Sequence, residues 1–222
     1  MRAKTLRWDS DVTRGRRALH QQILEKFRSG QANILIGTQM IAKGLDLPGV
    51  TLVGVVNADT ALNLPDFRSG ERTFQLLSQV SGRAGRGPLG GRVIIQTYTP
   101  DHYAIQAAAN HDYFSFYERE IGYRRELHDP PFSRIARLIY SHNNNNRCME
   151  EAYRLKKDLE QKRDAKGLDN VEVLGPAPCF IHRLRGRFRW QVTIRCENPS
   201  AFLAQLELPR GWIVDIDPVG LE

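Results

Sequence analysis

Gln79-Val80-Ser81-Gly82-Arg83-Ala84-Gly85-Arg86 holds the side chains with the clearest chemical potential in the chain. Two arginines stand three positions apart, each preceded by glycine, with a glutamine four positions before the first. A spacing of three on a helical turn points both guanidiniums the same way. Arginine is always charged, and its planar fork matches phosphate oxygens two at a time. Glycine beside each arginine lets a backbone or a ligand approach closely. Two forks and an amide on one short segment suit a nucleoside triphosphate. The alternatives are an Arg/Gly surface loop and a nonspecific polyanion patch.

A second segment, Gly37-Thr38-Gln39-Met40-Ile41-Ala42-Lys43-Gly44-Leu45-Asp46-Leu47-Pro48, follows the apolar run Ile34-Leu35-Ile36. Such runs mark buried parallel strands, and ligands of open parallel sheets bind outside the carboxyl ends of the strands. Thr38 is predicted at that edge, where its hydroxyl and nearby N–H groups suit a phosphate at a helix start. Asp46 suits a ribose hydroxyl. The alternative is that Gly44 and Asp46 only shape a turn.

The elements that must position these groups read as α/β over residues 1 to 128 and as a small α+β domain over 129 to 222. Leu6–Trp8 reads as the end of a short strand, and apolar runs at Ile34–Ile36, Thr51–Val56 and Val93–Gln96 predict further strands. Leu19, Ile23 and Phe27 recur at i, i+4, i+8 and predict a helix ended by Ser29-Gly30. Residues 71–81 predict a second helix with Phe74 and Leu77 inward. Strand, helix, strand in alternation implies parallel pairing with right-handed crossovers. Residues 101–127 predict one helix, and Asp129-Pro130-Pro131 breaks the chain. Beyond it, strands are predicted at Ser133–Ser141, Val171–Leu174, Phe180–Leu184, Phe188–Cys196 and Trp212–Ile216. Helices are predicted over about 147–164, with Cys148, Ala152, Leu155 and Leu159 on one face, and over about 200–206. Gly186 marks a hairpin.

Composition bounds the rest. The 222 residues are 41% hydrophobic and 26% charged, which excludes a disordered chain and allows one large domain or two small ones. The net charge of +7 leans toward a polyanionic partner. It is concentrated in two windows: Arg72 to Pro100 and Val173 to Cys196 contain four and five arginines and no acid. The three cysteines, Cys148, Cys179 and Cys196, have no metal-ligand spacing and read as small buried hydrophobes in a reducing, cytosolic setting. No apolar run approaches the roughly 20 residues of a membrane span.

The pair G-T-Q-M-I-A-K-G-L-D and Q-V-S-G-R-A-G-R resembles motifs V and VI of superfamily 2 helicases. Asp59, Pro65-Asp66-Phe67-Arg68 and Glu71-Arg72 narrow the resemblance to the primosomal replication-restart helicase family (primosomal protein N′, PriA). So do Pro130-Pro131-Phe132, Leu174-Gly175-Pro176-Ala177-Pro178, Phe188-Arg189-Trp190-Gln191 and Asp215-Ile216-Asp217-Pro218. The resemblance covers nearly the whole chain. It implies a RecA-like lobe 2 followed by a C-terminal domain, and roles for single residues. Arg86 would be the arginine finger on the γ-phosphate of ATP, Arg83 its companion, and Gln79 the sensor of phosphate or water. Gly44 and Asp46 would meet the nucleotide sugar, and Thr38 the DNA backbone. ATP with Mg²⁺ would be shared with lobe 1, and the family's zinc ligands have no counterpart in this chain. Branched DNA, 3′-to-5′ polarity, the single-strand DNA-binding protein, primosome proteins and a bacterial, nucleoid-associated setting in the cytoplasm are likewise implied.

The second basic window adds a DNA surface of its own. In Arg187 to Arg195, Phe188, Trp190, Val192 and Ile194 alternate with Arg187, Arg189, Gln191, Thr193 and Arg195. One face packs a core and the other presents arginines, joined by Arg183 and Arg185 before Gly186. The alternative is a solvated sheet face. Arg68 and Arg72 either contact DNA or pair with Asp66 and Glu71.

The chain contains no G-x-x-x-x-G-K-[ST] loop and no Asp-Glu-x-His segment, so these residues alone are expected not to hydrolyse ATP. Two rival readings are another superfamily 2 remodelling helicase and a non-enzymatic DNA-binding module that keeps lobe 2 as a scaffold.

Overall fold

The computed structural model describes residues 3–8, 17–38, 47, 49–84 and 90–220. They fall into two compact units, Met1–Asn63 with Gly70–Tyr117, and Leu64–Ser69 with Glu118–Glu222.

In the first unit β1 (Thr5–Trp8) pairs in parallel with β2 (Ile34–Gly37), and β3 (Leu52–Val55) in parallel with β4 (Arg92–Ile95). Helix α1 (Arg17–Arg28) lies on the connection between β1 and β2. Its Ile23 is buried, and the indole N–H of Trp8 donates to Nδ1 of His20 at 2.8 Å. Gly30, at φ 74°, adopts the left-handed turn that ends many helices. Between β3 and β4 run α2 (Asp59–Leu62), which the sequence did not announce, and α3 (Ser69–Ser81). The core of this unit gathers Phe74 and Leu77 of α3 with Ala104, Ile105 and Ala108 of α4 (Tyr103–Ala109) and Phe116 of α5 (Tyr113–Glu126). Phe74 and Phe116 stack with ring centroids 4.1 Å apart. Fully burying a side chain such as Leu77 stabilises by about 1.5–3 kcal/mol relative to leaving it exposed.

Two expectations for this unit fail. Residues 101–127 do not form one helix. His111 takes φ 54° and stops α4, and Asp112 starts α5 by accepting the Ser115 N–H at 3.0 Å and its hydroxyl at 2.5 Å. A side chain that caps a helix start competes with continuing the previous helix. The strands are also not buried on both faces: Ile34, Ile36, Leu52 and Ile94 are exposed. The half-buried Val55 and Ile95 pack toward the helices instead.

The second unit is a four-stranded antiparallel sheet in the order β6-β7-β5-β8. Its strands are β5 (Arg134–His142), β6 (Glu172–Leu184), β7 (Arg187–Cys196) and β8 (Trp212–Ile216). Helices α6 (Asn145–Ala165) and α7 (Pro199–Leu203) supply Ala152, Leu155, Leu159, Phe202 and Leu203 to one core with Ala136, Leu138, Val192 and Ile194 of the sheet. Asn144 caps α6 by accepting the N–H of Arg147 at 3.1 Å. The face expected from Cys148, Ala152, Leu155 and Leu159 is buried throughout. The strands predicted at 171–174 and 180–184 are one strand, β6, with its register interrupted twice. The last passage of the chain from the first unit to the second falls inside α5, after Tyr117.

Candidate functional site

Gln79 and Arg83 lie at the carboxyl end of α3, Gln79 exposed and Arg83 half-buried. The turn after the helix tightens: the N–H of Gly82 reaches the Ser78 carbonyl, and that of Arg83 the Val80 carbonyl at 3.0 Å. Gly82 is exposed, and a Cβ placed on it would come no nearer than 3.6 Å to another heavy atom. The backbone beside Arg83 is therefore open to an approaching group. That openness, with an exposed amide and a guanidinium on one turn, fits a polyphosphate. Thr38 is exposed immediately beyond the end of β2, at the carboxyl edge of the parallel pair. Arg86, Gly44 and Asp46 lie outside the described residues.

Asp59 is fixed within the same unit. Its buried carboxylate accepts the Thr97 hydroxyl at 2.9 Å, the Tyr98 N–H at 3.0 Å and the Thr99 hydroxyl at 2.9 Å. Burial works to raise its pKa, but these donors outweigh it and hold the carboxyl below its ordinary value. This residue ties the start of α2 to the chain after β4 and is a structural clamp.

In the second unit β6 and β7 form a hairpin closed by Arg185 and Gly186, at φ 49° and 81°. Two consecutive left-handed residues make the turn whose twist matches its strands, and Leu184 faces Arg187 across it. Around this tip Arg187 is exposed and no carboxylate pairs with Arg183, Arg185, Arg187 or Arg189 among the described residues. The Arg183 guanidinium lies 5.1 Å from the centroid of Phe188, a cation–π contact. Nη1 of Arg189 donates to the Ile181 carbonyl at 3.4 Å. Just behind the tip the hairpin is anchored by Asn145 Oδ1, which accepts the Trp190 indole N–H at 3.0 Å and lies 3.1 Å from Nε2 of His182.

Arg195 and Arg68 both have partners within the second unit. The window around Arg195 lacks acids in sequence only. Its Nη1 meets Asp129 at 2.8 Å and its Nη2 meets Glu172 at 2.6 Å, Glu172 standing opposite it on β6. With 19% of its side chain exposed, Arg195 is committed to two carboxylates and does not join the open arginines at the tip. Arg68 donates from Nη1 to the carbonyls of Pro218 and Val219, each at 2.8 Å, and its guanidinium lies 4.3 Å from the Phe67 ring centroid. Asp66 Oδ1 accepts the Arg68 backbone N–H at 2.9 Å, so Asp66 holds the main chain of Arg68 while carbonyls take its guanidinium. All three cysteines are buried, and burial pushes each thiol up. No helix among the described residues is long and apolar enough to cross a membrane.

Known families match both units. The helicase conserved C-terminal domain matches residues 3–88, and the primosomal protein N C-terminal domain matches residues 125–219. The replication restart protein PriA of Bacillus subtilis (strain 168) is 46% identical over 205 residues, which are 92% of this chain and 25% of that protein. The replication restart protein PriA of Synechocystis sp. is 42% identical over 224 residues, covering 98% of this chain and 26% of the relative. That of Chlamydia pneumoniae is 37% identical over 226 residues, covering 97% and 29%. The chain thus spans roughly a quarter of the length of the curated relatives it matches. With a helicase C-terminal domain followed by the domain particular to these proteins, the chain belongs to the PriA family of replication restart helicases.

Proposed function

We propose that these residues are the C-terminal portion of an ATP-dependent 3′-to-5′ DNA helicase of the primosome, which recognises branched DNA and restarts stalled forks. The first unit contributes one wall of an ATP site. Bound ATP with Mg²⁺ supplies the phosphoryl group whose hydrolysis drives the cycle. Arg86 acts as the arginine finger, Arg83 neutralises neighbouring phosphate charge, and Gln79 orients water or phosphate. Gly44 and Asp46 meet the sugar. Thr38 contacts the DNA backbone. The exposed Gly82 beside Arg83 carries this reading, because an incoming phosphate meets open backbone and a guanidinium side by side. The second unit contributes a DNA surface through Arg183, Arg185, Arg187 and Arg189. The single-strand DNA-binding protein and primosome proteins are its protein partners, in the bacterial cytoplasm at the nucleoid.

The reading is tested by supplying the missing wall separately. The 222-residue chain alone is expected to show no DNA-stimulated ATP hydrolysis. Adding a separately purified first helicase lobe is expected to restore it, and Arg86→Ala to lower the restored kcat by about 10³ to 10⁵, the usual worth of an arginine finger. Hydrolysis by the chain alone, or restoration indifferent to Arg86, rejects the assignment. Failure of any first lobe to restore hydrolysis favours the non-enzymatic alternative.

A further inference from the structure

The arginines of the β6–β7 hairpin share its tip with large apolar side chains that stand in solvent. Phe180 is 54% exposed, Ile181 49% and Leu184 47%. The ladder between the strands is irregular from Pro178 to Arg183, which takes Phe180 and Ile181 out of regular pairing. Where pairing resumes, Leu184 faces Arg187 and Arg183 faces Phe188, so apolar groups and guanidiniums are cross-strand neighbours. The Arg189 fork reaches the Ile181 carbonyl at 3.4 Å, placing a cation beside that exposed side chain. No acid occurs between Val173 and Cys196.

A surface for phosphates alone has no use for a half-exposed phenyl ring on the same hairpin as its arginines. A surface for an apolar partner alone has no use for four cations that no carboxylate neutralises. The combination fits a polymer that alternates anionic groups with flat, exposed rings. A duplex offers the phosphates but hides the faces of its bases in the stack, whereas a single strand offers both. Arg187 and Arg189, two positions apart on one strand, lie roughly 6.6 Å apart along it, comparable to the step of an extended sugar-phosphate backbone.

We propose that the hairpin tip binds single-stranded DNA, with an unpaired base stacked on Phe180 and flanked by Ile181 and Leu184, and with Arg185, Arg187 and Arg189 on the adjoining phosphates. The tip then selects unpaired bases over duplex. This rests on the reading of the hairpin as a DNA surface and specifies what that surface accepts.

The test titrates the whole 222-residue chain against a labelled single-stranded oligonucleotide and a blunt duplex of equal length, over a salt series. The Phe180→Ser/Ile181→Ser variant is expected to weaken single-strand binding about tenfold while duplex binding stays within about twofold and the salt slope is unchanged. A 2-aminopurine in the single strand is expected to be quenched by the wild-type chain and not by this variant. Thermal melting checks that the variant is folded, as both side chains are exposed. Arg187→Ala/Arg189→Ala is expected to weaken both substrates and flatten the slope. Equal loss on both substrates from the Phe180 and Ile181 variant, or loss on neither, overturns base stacking and leaves the phosphate surface standing. Binding of an acidic, Phe-containing peptide in preference to the single strand overturns it too, in favour of a protein partner. No salt-dependent binding of the wild-type chain to either DNA removes the phosphate surface itself and the inference with it.

Discussion

Nη1 of Arg68 donates to the carbonyl of Pro218 at 2.8 Å across 150 positions of sequence. The same nitrogen reaches the Val219 carbonyl at 2.8 Å, and the Phe67 ring lies against both the Arg68 and the Arg124 guanidiniums. Leu64–Ser69 is therefore part of the second unit although it lies within the stretch that matches the helicase domain. Hydrogen bonds to a charged group contribute about 1.5–3 kcal/mol each when sheltered, and less when exposed as one of these is. Arg68→Ala is expected to destabilise the second unit by about 1–3 kcal/mol and to leave the salt slope of DNA binding unchanged. Urea unfolding followed at Trp190 and Trp212 measures the first, and DNA titration the second. A flattened slope with undiminished stability returns Arg68 to the DNA surface.

Arg195 and Arg187 sit on one strand and are expected to fail in opposite ways. Arg195→Ala leaves Asp129, with 14% of its side chain exposed, without the guanidinium that meets it. Breaking a buried ion pair costs about 3–5 kcal/mol, and the partial exposure of Glu172 lowers that to about 2–3 kcal/mol here. DNA affinity is expected to change little. Arg187→Ala with Arg189→Ala is expected to leave stability within about 0.5 kcal/mol and to reduce the duplex salt slope by about 0.9 for each phosphate that is no longer neutralised. Equilibrium unfolding and salt-dependent titration on the same preparations separate the two behaviours.

Arg195 and Arg68 owe their partners to the fold, and a sequence does not record those. The α6 face of Cys148, Ala152, Leu155 and Leu159 was legible because its spacing is local and its burial follows from it. The hairpin was legible because Gly186 fits the left-handed turn that must close it. The segment at Gln79 and Arg83 stands out by residue types and spacing, and its phosphate role is the expectation drawn from them and from the resemblance. Arg195 looked free because its acids are Asp129, before β5, and Glu172, on the neighbouring strand. Arg68 was ambiguous because carbonyls, which every residue carries, leave no mark in a sequence. The break at His111 was hidden because Asp112 is an ordinary residue until its carboxylate turns back to cap α5. Exposure of Ile34 and Ile36 depends on what covers each face of a strand, and apolar content alone does not set it.

Acid is expected to loosen both units through carboxyls held below their ordinary pKa. In Asp217 the hydrogen bond from Arg134 is the main cause, against a smaller opposing effect of burial. In Asp59 burial opposes, and the Tyr98 N–H with the Thr97 and Thr99 hydroxyls prevails. A carboxyl with a lower pKa folded than unfolded releases its proton more readily in the native state. Its contribution is complete above the unfolded value of about 3.9 and is lost as pH falls through the folded value below it. Asp59→Asn cannot titrate and has one acceptor oxygen for three donors. It is expected to lower the urea midpoint at neutral pH and to flatten the fall of that midpoint below about pH 4. Urea midpoints followed by circular dichroism at neutral and acid pH measure both effects. A wild-type-like acid response in the variant shows that Asp59 does not contribute to it.

Arg185 is the position where folding and DNA binding are expected to pull apart. It takes φ 49° in a turn whose other residue, Gly186, takes φ 81°. A left-handed backbone costs a residue with a Cβ about 1–2 kcal/mol, and asparagine bears it best among such residues. Asn-Gly is also the preferred pair for this turn. Arg185→Asn is therefore expected to raise stability by about 0.5–1 kcal/mol while removing one cation from the tip. If Arg185 meets a phosphate, the same variant binds DNA more weakly and with a shallower salt slope. The opposite signs matter, because a variant that merely damaged the hairpin would lower both quantities together. A melting temperature that rises as affinity falls assigns the cation to binding. Unchanged affinity with raised stability leaves Arg185 as a turn residue and concentrates the phosphate contacts on Arg187 and Arg189.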